Sequence, residues 1–272
     1  MKASGTISTA GINAFGILAQ SVGGGGGLVT NGIMTTAGAG SSSSPRSVFV
    51  GTTGLTRRDL ATYDGSNDGG EVKVLFGNGA TISTSGAYST AVFAQSIGGG
   101  GGYGGVDVLQ RRSRPVLQDD TAIGNGGTIR ILMDGERWDG KIESASGFMA
   151  SLGASLSIET TGTAAHGVFA ESLGGGGLAV GALQTSSAAS RATQGTGGAI
   201  TFALAGSIKA SGADAFGILA QSGFQKTDGT LDPGRAGGKI EIAYNGTITG
   251  GSGNGAAIGI DGGSIKTAPG ES

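Results

Sequence analysis

One segment recurs four times along the chain, and this repetition limits the fold more than any other feature of the sequence. In each copy, a lead-in of the type GTIST precedes an apolar segment of the type AFGILAQSV, at 14–22, 91–97, 165–173 and 215–223. Three copies continue into four or five consecutive glycines, at 23–27, 98–102 and 174–177, and a worn fifth copy spans 246–263. Repeats of this kind bury an apolar core only by stacking on their neighbours.

A second motif precedes each later copy, and its pattern predicts a strand. Two glycines are followed by alternating apolar and polar residues at 69–74, 126–131, 197–202 and 237–242. Because successive side chains of a strand point to opposite faces, this alternation is typical of a strand with one buried face. Glycine-rich turns between short aliphatic strands therefore predict an all-β fold, a parallel β-solenoid.

The spacing of the copies predicts loop insertions. The Gln or Glu of the apolar segment falls at positions 20, 95, 171 and 221, which are 75, 76 and 50 residues apart. These distances exceed one solenoid turn, so each unit is predicted to hold two or three coils and an insertion. The insertions are assigned to about 28–68, 103–125, 178–196 and 224–236, within a single repeat region that covers 1–272.

Stacking would place equivalent side chains in columns about 4.8 Å apart. The predicted inward columns are Ile17, Val92, Val168 and Ile218, and then Ala19, Ala94, Ala170 and Ala220. Serines are predicted to close the strand at a narrow corner, at Ser21, Ser96, Ser172 and Ser222. The opposite face carries Gln20, Gln95, Glu171 and Gln221. These four residues form either a hydrogen-bonded ladder, interrupted by the charge of Glu171, or a row of solvated side chains.

The glycine runs are the least ordinary feature of the repeat. Glycine weakens a strand by about 0.5–1 kcal/mol relative to alanine, so its recurrence at one place indicates a backbone requirement. That requirement is either a tight corner with positive φ or the close approach of another chain. A flexible linker is the alternative.

Composition excludes several classes of function. The 17 Lys and Arg against 19 Asp and Glu give a net charge of −2, so there is no basic stripe for nucleic acid. The chain has no cysteine and a single histidine, so zinc sites built from His and Cys are excluded. The sequence has no apolar run of about 18 residues, so a membrane-spanning helix is not predicted.

No catalytic, cofactor-binding or metal-binding residue is predicted, and no cofactor. His166 shares its repeat position with Phe15, Thr90 and Phe216, so that position is not a catalytic one. Two acidic clusters are present. One lies beside the only tryptophan, Trp138, and comprises Asp134, Glu136 and Asp139; the other comprises Asp119 and Asp120. They keep a β-helix carbohydrate-active enzyme open as an alternative, although solvated turns are the simpler interpretation.

Ice binding is a third hypothesis. Thr6, Thr81 and Thr247 head their strands, as a flat threonine array requires. The matching position holds Ser157 or Ser207 in other copies, and this irregularity argues against the hypothesis.

The segments 14–27, 91–102, 165–177 and 215–223, with their Gly-x-Ile-x-Thr lead-ins, resemble a repeat of the passenger regions of large bacterial autotransporters. The resemblance implies a right-handed parallel β-helix that is displayed on, or released from, the outer membrane of a Gram-negative cell. It also implies adhesion, aggregation or host interaction. In its lack of cysteine the chain is similar to the passengers of that family, which cross the envelope unfolded.

We therefore expect an extracellular structural and interaction module that presents loops for adhesion or aggregation. Its expected partners are a host or bacterial surface protein or glycan, and self-association is a further expectation. No apolar stretch follows Lys2, so a signal peptide is not predicted, and the immediate start of the repeat indicates a piece of a longer protein.

Overall fold

The structure is a computed structural model that describes residues 1–23, 26–29, 48–49, 68–98, 101–104, 116–117, 124–134, 156–175, 177–180, 195–224, 237–262 and 265–267. Within these ranges the chain is all-β: it forms strands and no helix. Every strand pair is parallel. The fold class predicted from the alternating pattern is therefore confirmed at the level of an all-β chain with parallel sheets.

The largest sheet has nine strands and consists of two arms. The first arm contains β1 (Lys2–Ala3), β6 (Val72–Phe76), β11 (Ile129–Met133) and β19 (Ile265–Thr267). The second arm contains β2 (Thr6–Thr9), β7 (Thr81–Thr84) and β12 (Leu156–Thr160). Two long strands, β15 (Ile200–Ala210) and β17 (Ile240–Thr249), run through both arms and join them.

The apolar segments of the repeat form a separate sheet. We call it the third sheet, counting the two arms of the largest sheet as the first and second. It contains β3 (Ile17–Val22), β8 (Val92–Ile97), β13 (Val168–Gly174), β16 (Ile218–Phe224) and β18 (Ile258–Asp261). Three strands at the ends of the glycine runs form a fourth sheet: β4 (Gly26–Val29), β9 (Gly101–Gly104) and β14 (Gly177–Val180). Two insertions meet in a short pair, β5 (Val48–Phe49) with β10 (Val116–Leu117).

Apart from β5, β10 and β19, the strands group into five layers, each of which crosses the first arm, the second arm and the third sheet once. β19 pairs with the outer edge of β17 beyond the fifth layer. We number them layer 1 (1–29), layer 2 (69–104), layer 3 (126–180), layer 4 (197–224) and layer 5 (237–261). Equivalent residues of neighbouring layers are direct partners: Ile17 pairs with Val92, and Val92 pairs with Val168.

This register corrects the predicted number of coils. Each repeat unit contributes one layer and not two or three, because no strand lies between Ile17 and its partner Val92 in the third sheet. The spacing of 75 residues is long because it contains three strand positions and one large insertion. The length of the repeat alone cannot distinguish such an insertion from additional coils.

The apolar core lies inside the layers. The main cluster collects aliphatic and aromatic side chains from both arms and from the third sheet, including Val74, Phe76, Phe202, Ile158 and Val168. Fully burying one such side chain contributes about 1.5–3 kcal/mol, so a core shared between layers stabilises the stack without disulfides. The four predicted insertions lie mostly outside the described residues.

Candidate functional site

The third sheet carries most of the residues that the sequence singled out. All four members of the Ile17 column pair in register, and so do all four members of the Ala19 column. Both columns belong to the main apolar cluster inside the layers, with Ala19 only half-buried at the first layer. The alternate residues of the same strands therefore point outward.

One outward column is polar, and it forms hydrogen bonds from layer to layer. Gln20 Nε2 donates to Gln95 Oε1 at 2.5 Å, and Gln95 Nε2 donates to Glu171 Oε2 at 2.5 Å. Gln221 lies beside Glu171 in register. Gln95 and Glu171 are fully buried, whereas Gln20 and Gln221 are half-buried.

Glu171 is the buried carboxyl group of this column, which continues to the exposed Asp261 in layer 5, and the environment of Glu171 disfavours a charge. Burial raises its pKa from 4.5 to about 7, and the hydrogen bond from Gln95 opposes that rise. Its second oxygen, Oε1, is buried without a hydrogen-bond partner among the described residues. A buried polar atom in that state is costly, and protonation of the carboxyl lowers the cost.

The outward face also carries an aromatic column beside the polar one. Phe93 stacks on Phe15 with ring centroids 5.5 Å apart and on Phe169 at 5.0 Å. His166 meets Phe169 edge-on at 5.7 Å, and its Nδ1 accepts the backbone N–H of Phe216 at 3.0 Å. His166 is fully buried, so its contacts are those of a packed core residue.

The serine column lies at the corner between the third sheet and the first arm, where each serine bridges two layers. Ser172 Oγ donates to Gly127 O of its own layer at 2.8 Å and accepts the N–H of Gly198 from the next layer at 2.8 Å. Ser96 and Ser222 make the same pair of bonds in their layers, at 2.8–2.9 Å, and Ser21 accepts one from layer 2. The Gly-Gly motif and the serine are therefore two parts of one corner.

The glycine runs also meet backbone at close range where they are described. A Cβ on Gly98 would lie under 3.0 Å from backbone atoms of Gly124 and Asn125, and one on Gly174 would do the same at Gly195 and Thr196. The ends of the runs pair in the fourth sheet, where Gly26 lies beside Gly101 and Gly101 beside Gly177. Close approach of backbone thus accounts for Gly98 and Gly174, and the positive φ of 70° at Gly175 marks a tight turn at the next position of the third run.

Sequence reasoning missed a second glycine column, at the turn before the third sheet. It comprises Gly11, Gly86, Gly162, Gly212 and Gly251, one in each layer. From layer 2 onward, a Cβ on each of these glycines would lie under 3.0 Å from the carbonyl oxygen of the glycine one layer before. The signal was present in the sequence, because in the first four layers each of these glycines stands six residues before the equivalent Ile or Val, at positions 17, 92, 168 and 218.

The residue two positions after each of these glycines adopts a left-handed conformation. In the five layers the φ values are 56° at Asn13, 58° at Tyr88, 50° at Ala164, 58° at Asp214 and 69° at Gly253. Such a conformation costs a side chain with Cβ about 1–2 kcal/mol, which the stack of turns must offset. The turn column is thus held by packing between layers and not by local preference.

Threonines brace the same turns. Thr9, Thr84 and Thr160 each donate a side-chain hydrogen bond to the carbonyl five residues further on, at 2.5–2.7 Å. The three threonines pair in register, and Ala210 takes their place in layer 4. Layer 4 therefore lacks this brace.

The exposed face of the second arm bears on the ice-binding hypothesis. Hydroxyl side chains pair in register along it, at Thr6, Thr81, Ser157, Ser207 and Thr247. The neighbouring column is interrupted by an ion pair, in which Lys209 Nζ lies 3.2 Å from Glu159 Oε1. The face is therefore polar but not a uniform threonine array.

The predicted acidic clusters are mostly outside the described residues, including Asp119, Asp120, Glu136, Trp138 and Asp139. Asp134 is described, and its carboxylate forms an ion pair with Lys2. Among the described residues, no group of three His, Cys, Asp or Glu side chains could hold a metal ion.

Within the described ranges, no helix has the length and apolar character needed to cross a membrane. Comparison of the chain with protein-family models, with curated proteins and with solved structures finds no match.

Proposed function

We propose that the chain is a right-handed parallel β-solenoid that serves as an extracellular interaction module, a part of an autotransporter passenger that presents its insertions for adhesion or aggregation. The direct parallel pairing of equivalent residues in successive layers supports the solenoid. Parallel crossover connections are right-handed in about 98% of cases, which supports the hand. The autotransporter class rests on the resemblance of the repeat segments.

The proposed display function is supported by the place where the insertions join the layers. The four insertions begin within the last residues of β4, β9, β14 and β16, and each ends before the next strand of the first arm. They therefore leave the scaffold at the same corner at each of the four junctions between layers. Layer 3 also varies elsewhere, because 134–155 separate β11 from β12, where layer 2 has only 77–80 between β6 and β7. A scaffold that keeps its repeated residues for packing, and places most of its length variation at one corner, is suited to display loops to a surface protein or glycan.

Surface display tests the proposal. The full chain, fused to an outer-membrane anchor on a non-adherent bacterium, should promote cell–cell aggregation or attachment to host cells. A matched variant, in which short Gly-Ser linkers replace the four insertions, should keep the β-sheet circular dichroism spectrum and lose adhesion. Adhesion that survives in this variant, or none with the full chain, would contradict the proposal.

The alternative function, a carbohydrate-active enzyme, is tested with an activity assay on the same chain. Release of reducing sugar from pectin-like or capsular polysaccharides, lost on Asp134→Ala and Glu136→Ala, would replace the display function with catalysis. The expected result is no turnover with either the full chain or the variants.

A further inference from the structure

Four asparagines in the described part of the chain stand directly before a glycine, at Asn78, Asn125, Asn245 and Asn254. This pairing is chemically labile, because the backbone nitrogen of the second residue can attack the side-chain amide carbon of the first. Glycine has no Cβ to hinder the attack or to restrict the backbone rotation that it needs. The structure determines which of the four pairs can reach that geometry while the protein stays folded.

Two of these pairs are held by bonds to a neighbouring segment. Gly126 donates its N–H to Thr196 O at 2.9 Å, and Asn125 Oδ1 accepts the backbone N–H and the hydroxyl of Thr196 at 3.0 and 3.1 Å. Asn245 and Gly246 lie within β17, in the parallel ladder with β15. Attack at either pair requires that these contacts open first.

The pair at Asn254 is held in a similar way. Gly255 donates its N–H to Ser252 O at 3.2 Å, inside its own turn. The backbone N–H and Nδ2 of Asn254 both donate to Asp214 Oδ1, at 2.8 and 3.1 Å. The side-chain amide is therefore tied to layer 4, which keeps it from turning onto the nitrogen of Gly255.

The pair at Asn78 lies in an exposed turn between β6 and β7, where layer 2 passes from the first arm to the second. Ala80 donates its N–H to Gly77 O at 3.2 Å and the φ of Gly79 is 77°, which is the geometry of a type II turn with glycine at its third position. A Cβ built on Gly79 would meet no described atom within 4 Å. Within the described ranges the N–H of Gly79 makes no hydrogen bond. This turn can therefore change its backbone angles without disturbing a packed neighbour.

We propose that Asn78 is a modification site, at which the folded protein loses the side-chain amide spontaneously, by deamidation. The Gly79 nitrogen, after it gives up its proton to base in the solvent, forms a bond to Cγ of Asn78. The bond between Cγ and the amide nitrogen breaks, and that nitrogen leaves as ammonia with a proton taken from water. The product is a five-membered succinimide ring, and the step needs no oxidant, reductant or cofactor.

Water then opens the ring at one of its two carbonyls. Addition at Cγ restores the normal main chain and leaves aspartate at position 78. Addition at the backbone carbonyl of the same residue leaves isoaspartate, whose main chain is longer by one methylene. Either product adds one negative charge, so the net charge changes from −2 to −3. The modified corner belongs to the scaffold and not to an insertion, so deamidation does not depend on the proposed display function.

Ageing of the full chain tests the proposal. One sample is incubated in mildly alkaline native buffer and a parallel sample in the same buffer with urea, and both are then digested at acid pH. Mass spectrometry with fragmentation measures the deamidated fraction at each asparagine. In native buffer Asn78 should react about tenfold or more faster than the other three described pairs, because a hydrogen-bonded pair reacts only from locally opened states. In urea the four rates should become similar.

Asn78→Gln is the control variant, since the longer side chain would have to close a six-membered ring, which forms far more slowly. It should keep the thermal melt of the wild type and lose the part of the isoaspartate label, introduced by an isoaspartyl methyltransferase, that mapping assigns to position 78. The pair at 31–32 lies outside the described residues and is followed separately in the same map. A rate at Asn78 no higher than that at Asn125 in native buffer, or a label that the substitution leaves unchanged, would overturn the proposal.

Discussion

Replacing Glu171 by glutamine tests the outward face of the third sheet most sharply. The change is the smallest available, because glutamine already occupies this column in layers 1, 2 and 4. It keeps the oxygen that accepts from Gln95 and puts an amide nitrogen in place of the unpartnered Oε1. Gln221, the next member of the column, lies beside this position in register, and its side chain has an amide oxygen that can accept a hydrogen bond.

The magnitude follows from the pKa of Glu171. The folded-state pKa is about 7, and the ordinary value is 4.5. Each pKa unit corresponds to about 1.4 kcal/mol, so the buried carboxylate lowers the free energy of unfolding by about 3 kcal/mol once it is ionised. Between these two values the folded state binds the proton more tightly than the unfolded state, so the stability of the wild type falls as the pH rises and levels off above about 7.

Urea denaturation, followed by circular dichroism across this pH window, is the assay. Below pH 4.5 the wild type and Glu171→Gln should be nearly equal in stability, and above pH 7 the variant should be more stable by about 3 kcal/mol. Glu159→Gln is the matched control at an exposed ion pair, and it should change stability by less than about 1 kcal/mol. Parallel pH profiles for the wild type and Glu171→Gln would show that this carboxyl is not buried and would refute the reasoning.

Three other substitutions probe the contacts between layers. Ser172→Ala removes a hydroxyl that bridges two layers and should lower the free energy of unfolding in urea by about 2–4 kcal/mol. The control Ser157→Ala, at an exposed position, should lower it by less than about 0.5 kcal/mol. Equal effects would mean that the hydrogen bonds at the corner contribute nothing to stability. Gly162→Ala forces a methyl group onto a backbone carbonyl and should cost about 3 kcal/mol or more in thermal melts, and an unchanged melt would contradict the glycine column. Ala210→Thr restores the missing brace and should raise stability by about 1 kcal/mol, while a loss of stability would show that layer 4 has no room for it.

The register of the third sheet could be read from the sequence because its side chains repeat with a period of two. A shift of one residue would turn Val92 and Ala94 outward and Phe93 and Gln95 inward, so only one alignment keeps equivalent residues together. The number of layers could not be read in the same way. An insertion and an additional coil lengthen the repeat equally, and only strand pairing distinguishes them.

The environment of the polar column was also beyond the sequence. Alternation shows that Gln95 and Glu171 leave the core face, but whether the outer face is wet or dry depends on contacts far away in the chain. Both are fully buried, and the solvated interpretation left open for them does not describe these two residues. The turn column shows the same limit, since the left-handed conformation of Tyr88 and Ala164 is set by stacking and not by their own preferences.

The central claim, that equivalent residues stack layer upon layer, is tested most directly by one distance measurement. Nitroxide labels on Thr6→Cys and Thr247→Cys are specific, because the chain has no cysteine of its own. These residues lie four layer spacings apart in the second arm, so double electron–electron resonance should give a distance of about 19 Å between the labelled backbones, extended only by the label arms. Moving the first label to Thr81→Cys should shorten the distance by about 5 Å. A broad distribution, or a distance that does not shorten by one layer spacing, would contradict the stack.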